Sequence, residues 1–176
     1  SVTTLATGAT RTWTSASGGA LAVSWAGDRT VAFDWQDADQ DARSGVRLLD
    51  TAGPGAGLLA TRLLVPASTR AGAFTGPGDP LITQDGSTVL VTLASGPKSV
   101  IASFSVGNGR LRAVLTPAAA QSQWYCGILW ADPRGRHLLT QCGTAQGSIE
   151  DGRYTRVRLP RLIPASEIGY ANTFAW

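Results

Sequence analysis

Three carboxylates at alternate positions, Asp37, Asp39 and Asp41, begin the way a calcium-binding loop begins. Such a loop also needs a glycine at its sixth position, for the sharp turn, and a bidentate acid at its twelfth. Those positions hold Ala42 and Leu48, so the pattern stops after three residues. The stretch from Asp34 to Gly45 is expected to be a solvated hairpin loop, with a metal site on Asp37, Asp39 and Asp41 as the alternative. His137 is the single histidine. A Ser-His-Asp triad would have to use it, and no Gly-x-Ser-x-Gly elbow accompanies it. One histidine and two cysteines do not fill a structural zinc shell. Glutamate occurs only at Glu150 and Glu167, and the aspartates fall mainly in turns, where they hydrogen-bond locally. A hydrolase or lyase would have to draw on Asp34, Asp50 or Asp85, clustered within roughly 5–10 Å at one mouth of the fold. The expectation is a non-enzymatic chain with no catalytic residue, no resident metal and no cofactor.

The two cysteines carry chemistry of another kind. Trp124 to Gly143 reads WYCGILWADPRGRHLLTQCG: an apolar run, a turn at Asp132-Pro133-Arg134-Gly135, and a second apolar run. Proline presets φ in such a turn and glycine tolerates the positive φ beside it, so the two runs form a β-hairpin. Pairing outward from Asp132 opposite Arg136 sets Leu129 opposite Leu139 and Cys126 opposite Cys142. Directly opposed residues have Cβ atoms about 4.5–5.5 Å apart, closer in non-hydrogen-bonded pairs, and a disulfide suits the closer kind. A Cys126–Cys142 disulfide is therefore expected, which persists outside the reducing cytoplasm. The alternative is two buried free thiols acting as small apolar side chains.

The same hairpin occurs twice earlier. Leu21 to Ala26 passes through Gly27-Asp28-Arg29 into Thr30 to Phe33, and Pro80 to Gln84 passes through Asp85-Gly86-Ser87 into Thr88 to Val91. Val31, Val89 and Leu138 then correspond, at spacings of 58 and 49 residues. After each of the first two hairpins come a third run (Val46 to Asp50, Val100 to Val106) and a fourth (Leu58 to Val65, Leu111 to Thr116). Four short strands per unit at this period is the spacing of β-propeller blades. The fold class expected is all-β, a propeller or partial propeller. Its units run over 21–66, 81–117 and 121–159, with 1–14 and 168–176 completing a split blade. Trp13, Trp25 and Phe33 are expected to pack between blades, residues 66–80 and 160–164 to be links, and Tyr154 to Leu159 to be an outer strand. Gly53-Pro54-Gly55-Ala56-Gly57 lacks the Lys-Ser/Thr sequel of a phosphate cradle and reads as a turn.

Composition agrees with one folded domain. The chain has 176 residues, 43% of them hydrophobic and 15% charged, with 21 glycines and 9 prolines. No apolar run approaches the ~20 residues of a membrane helix, and no stretch is expected to be a signal peptide. There is no methionine, so Ser1 reads as the start of a processed product or an excised piece. Lys98 is the single lysine among fifteen basic residues, and the net charge is +3. Residues 1–88 hold six basic and eight acidic groups against nine and four in 89–176, an excess that could favour an anionic surface but serves solubility as well. Arg110 with Arg112, and Arg156 with Arg158, alternate on outer strands, where charge discourages edge pairing. Nucleic-acid binding would need aromatic platforms among these arginines, and there are none.

SVTTLATGATRTWTS, LAVSWAGDRTVAFDW with the following SGVRLLDTAGPGAGLLATRLLVP, and the terminal FAW resemble the C-terminal part of WD-repeat-like β-propeller domains of actinobacterial membrane or exported proteins. The resemblance covers nearly the whole chain and its motifs are structural. It implies a propeller held outside the membrane, tethered through a part absent from this chain, with further repeats upstream and no catalytic residues to carry over. The function expected is a ligand- or protein-binding or sensing module of the cell envelope. A protein partner or a copy of the chain is the expected partner, and a small ligand is possible. The alternative is a scaffolding domain that completes its propeller by dimerisation.

Overall fold

The computed structural model describes residues 1–37, 40–53, 57–96, 98–115, 124–131, 137–144, 153–158 and 161–163. They form fourteen antiparallel strands and no α-helix. A two-stranded ribbon, β1 (Val2–Thr3) and β2 (Thr10–Arg11), comes first. Sheet I holds β3 (Gly19–Ala26), β4 (Thr30–Gln36), β5 (Gly45–Asp50) and β6 (Arg62–Pro66). Sheet II holds β7 (Thr75–Ile82), β8 (Thr88–Ser95), β9 (Lys98–Ser105) and β10 (Leu111–Leu115). Sheet III holds β11 (Trp124–Ala131), β12 (His137–Thr144), β13 (Arg153–Arg158) and β14 (Arg161–Ile163). Every sheet is a meander, each strand hydrogen-bonded to the next in sequence. Val31, Val89 and Leu138 are each the second residue of a sheet's second strand, so the spacing read from sequence marks equivalent positions.

The sheets stack face to face in chain order. On one side β7 packs against β3, β4 and β5; on the other it meets β11, which also packs on β8 and β9. Alternation along β4 explains how one strand serves two interfaces. Val31, Phe33 and Trp35 point to one side and are buried with Trp13 and Leu49, under the ribbon and the loop leading to β6. Ala32 points to the other and joins Val46 and Val65 against Val89, Val91 and Leu93 of β8 and Val100, Ala102 and Phe104 of β9. Phe33 and Trp35 meet edge to face, ring centroids 6.3 Å apart. Strand β8 is an unbroken apolar run at Val89–Val91, and Leu90 and Leu93 are as inaccessible as their neighbours, because sheet II is covered on both faces.

Two arginines tie the irregular pieces down. Arg11 Nη1 donates to the carbonyls of Thr51, Ala52 and Gly53 at 2.8–3.2 Å, and the Leu58 N–H donates to Thr14 O at 2.9 Å, fixing the ribbon to sheet I. Arg47, 5% exposed, donates to the carbonyls of Arg43, Leu59 and Thr61, which satisfies a buried guanidinium with backbone acceptors.

Four expectations need correction. Residues 66–80 are not all link: β7 begins at Thr75, and its Gly76-Pro77-Gly78-Asp79-Pro80 core pairs with β8 through two register shifts. Glycine and proline read as breakers, but they are tolerated in a strand at bulges. Tyr154 to Leu159 is not the outer strand of its unit, because Arg153–Arg158 is third and Arg161–Ile163, inside the expected link, is fourth. Leu58–Ala60 is a 3-10 turn, and β6 starts at Arg62. Leu129 is not opposite Leu139: a shift between Ile128 and Trp130 sets Trp130 there instead.

Candidate functional site

Asp34, of the hydrolase set, lines a cavity. It sits on β4 between Phe33 and Trp35, on the face turned toward sheet II, and is 8% exposed. The cavity, of about 620 Å³, lies where β3 and β7 begin and β4 ends; Gly18, Leu21, Asp34, Asp37, Pro77 and Gly78 are among its walls. Gly78 comes so close that a Cβ there would stand 3.7 Å from Asp34 Oδ2. Burial pushes the Asp34 carboxyl up from its ordinary value, the Asp79 carboxylate pushes it further, and the Trp35 backbone N–H opposes both. Among the described residues no side chain donates to it.

The expected solvated loop is in part buried. Asp37 is 5% exposed, its N–H donates to Ser44 Oγ at 2.9 Å, and its Oδ2 stands 3.9 Å from Arg43 Nη1. Asp41 opens the 3-10 turn Asp41–Arg43, and Asp39 lies outside the described residues. Among the described residues no three His, Cys, Asp or Glu side chains come together as a metal site.

The structure does not gather Asp34, Asp50 and Asp85. Asp50 pairs with Thr30, four residues along β4 from Asp34, which is about 13 Å at the usual strand rise. Its two oxygens accept from Arg29 Nε and Nη2, both at 2.6 Å. Arg29, then the Ala52 N–H, hold the Asp50 carboxyl down at about 2. Asp85 accepts from Thr83 Oγ1 at 2.6 Å and from the Ser87 N–H and hydroxyl at 3.0 and 2.9 Å, which closes the β7–β8 turn and lowers its pKa. Both carboxylates are engaged in turn structure.

A second feature lies on the ribbon side. Val23 pairs with Phe33 and Trp25 with Val31, so Val23 and Trp25 share the face whose β4 residues are buried. Yet Val23 is 57% and Trp25 47% exposed, which corrects the expectation that Trp25 is packed between blades. The ribbon reaches over β4 and β5 but leaves β3 bare. Between the ribbon and the β3–β4 hairpin lies a cleft of about 710 Å³ walled by Val2, Leu5, Arg11, Trp25 and Arg29, with Leu5 wholly in solvent. Burial of large apolar residues was read from alternation, which gives the face of a side chain but not whether that face is covered.

In sheet III the ladder sets Cys126 opposite Cys142 and His137 opposite Arg158. The turn expected at 132–136 and the segment 168–176 lie outside the described residues.

No family model and no curated protein sequence matches this chain. Solved structures do. TolB from Acinetobacter baumannii superposes with a TM-score of 0.54 over 84% of this chain and 32% of its own, at 12% identity. A prolyl endopeptidase structure superposes with a TM-score of 0.45 over 81% of this chain and 20% of its own, at 19% identity. The likeness to TolB shows the fold alone: the three meanders stack as in a propeller-type protein. This chain spans about a third of TolB's length.

Proposed function

We propose that this chain is a non-enzymatic, extracytoplasmic β-propeller module that works by binding a polypeptide strand, supplied by a second copy of the chain. The observation that carries the proposal is the bare inner strand of sheet I. Among the described residues each of the three sheets has four strands while the ribbon has two, and a further pair would lie over Val23 and Trp25. An incoming strand would find the main-chain groups of β1 along one side and an apolar floor beneath, the two elements of strand addition to a sheet edge. The segment 168–176, IGYANTFAW, supplies what that slot asks for: Ile168, Tyr170, Phe174 and Trp176 fall on one side of the alternation, interrupted there by Asn172, with small residues on the other. The engagement of Asp50 and Asp85 in turns supports a binding role over hydrolysis. The Cys126–Cys142 register supports the location outside the cytoplasm.

Sedimentation and hydrogen exchange of the full chain from micromolar to millimolar concentration test this. Dimer formation should rise in step with protection of the Val2, Thr3 and Trp25 amides, and Trp25→Asp should abolish both. A chain that stays monomeric with those amides in fast exchange throughout would overturn the proposal.

A further inference from the structure

We propose that the cavity beside Asp34 is a binding site for an organic cation, a ligand that presents ammonium or guanidinium N–H groups to the Asp34 carboxylate. This is independent of strand docking, which uses the opposite face of sheet I. The geometry has three parts. Asp34 is more than nine-tenths buried, faces the cavity, and among the described residues receives no side-chain donor. A buried carboxylate without a strong donor is unfavourable, and a charge-assisted hydrogen bond is the contact that offsets the burial most.

The second carboxylate of the cavity differs from the first. Asp37 lines the same cavity but has Arg43 3.9 Å away, so its charge is met from within the chain. A cation entering there meets the Asp34 carboxylate on one flank and the Asp37–Arg43 pair on the other.

Size and lining select an organic ligand over a bare ion. About 620 Å³ lies within the range of small-molecule sites, far beyond what one ion fills. Leu21 and Pro77 offer apolar wall to an alkyl stem, and Gly18, Gly19, Gly76 and Gly78 bring bare backbone to the surface, where carbonyls accept the N–H groups that Asp34 leaves over.

The test uses N-butylguanidine and its neutral isostere N-butylurea, titrated into the full chain while amide NMR shifts are followed. N-butylguanidine should shift the amides of Asp34, Gly76 and Gly78 saturably, and N-butylurea should not. Asp34→Asn should weaken the guanidine by about 10- to 100-fold, the usual span for a hydrogen bond to a charged group. Equal binding of the urea would overturn the cation assignment. Calcium chloride alone shifting the same amides would overturn the organic ligand in favour of a metal ion. Shifts spread evenly over surface carboxylates, or none, would overturn the site. The comparison of guanidine with urea is made on the unmodified protein, so it decides the matter even where Asp34→Asn does not fold.

Discussion

Gly45→Ala should be among the most damaging single-methyl changes available to this chain, because β5 starts against the backbone of β6. Gly45 has φ +130°, and its partner in the ladder is Pro66. A Cβ added there would run into the Val65 carbonyl oxygen and stand 2.8 Å from Ala67 N and 3.0 Å from the Pro66 carbonyl carbon. All three are main-chain atoms at the end of β6 or just past it, so relief requires the ladder itself to shift. Backbone strain of about 1–3 kcal/mol and overpacking of about 1–3 kcal/mol together give a loss of about 2–6 kcal/mol. At about 2–4 °C per kcal/mol for a domain of this size, the melting temperature should fall by roughly 5–20 °C. Gly86→Ala is the internal control. Gly86 also has positive φ, +68°, but nothing stands within 4 Å of its added Cβ. There the left-handed conformation costs about 1–2 kcal/mol, and the less flexible unfolded chain returns about 0.4–1 kcal/mol. Urea unfolding followed by tryptophan fluorescence gives both numbers. Equal losses for the two variants would refute the packing of β5 on β6.

Two further predictions concern charge and sulfur. Asp50, held at about 2 by Arg29 from an ordinary 3.8, is a depressed carboxylate. Its contribution is present above pH ~4 and lost as pH falls through about 2, so carboxyl NMR should find it titrating well below the ordinary range, and Arg29→Gln should return it toward that range. Unreduced chain should be found by mass spectrometry to carry a Cys126–Cys142 disulfide, which the ladder permits by setting the two opposite each other; two alkylatable thiols in freshly purified, oxidised protein would remove it.

The elements legible in the sequence are those fixed by local chemistry. Turn residues at Gly27-Asp28-Arg29 and Asp85-Gly86-Ser87 mark the ends of strands that the structure contains. Apolar alternation placed Phe33 in the core, and counting outward from a turn set Cys126 against Cys142 across the ladder. What escaped depends on residues far apart in the chain. Strand β7 is a strand because β8 on one edge and sheet I across its face hold a Gly-Pro-Gly segment that has little strand preference of its own. Asp37 is buried because Ser44 and Arg43 return to it from across the loop, while the stretch that follows it in sequence is mostly polar. The Asp34 cavity escaped for the same reason. Its far wall is Gly76-Pro77-Gly78, more than forty positions away, and nothing around Asp34 in sequence announces it.

The quaternary structure of the full chain at millimolar concentration, with its strands counted, decides whether a second copy completes the ribbon. Val23 and Trp25 should be covered by added strands that pair with the edge of β1 away from β2 and come from a second copy. A structure in which that face of β3 stays open to solvent, or is covered by an element not paired with β1, would contradict this.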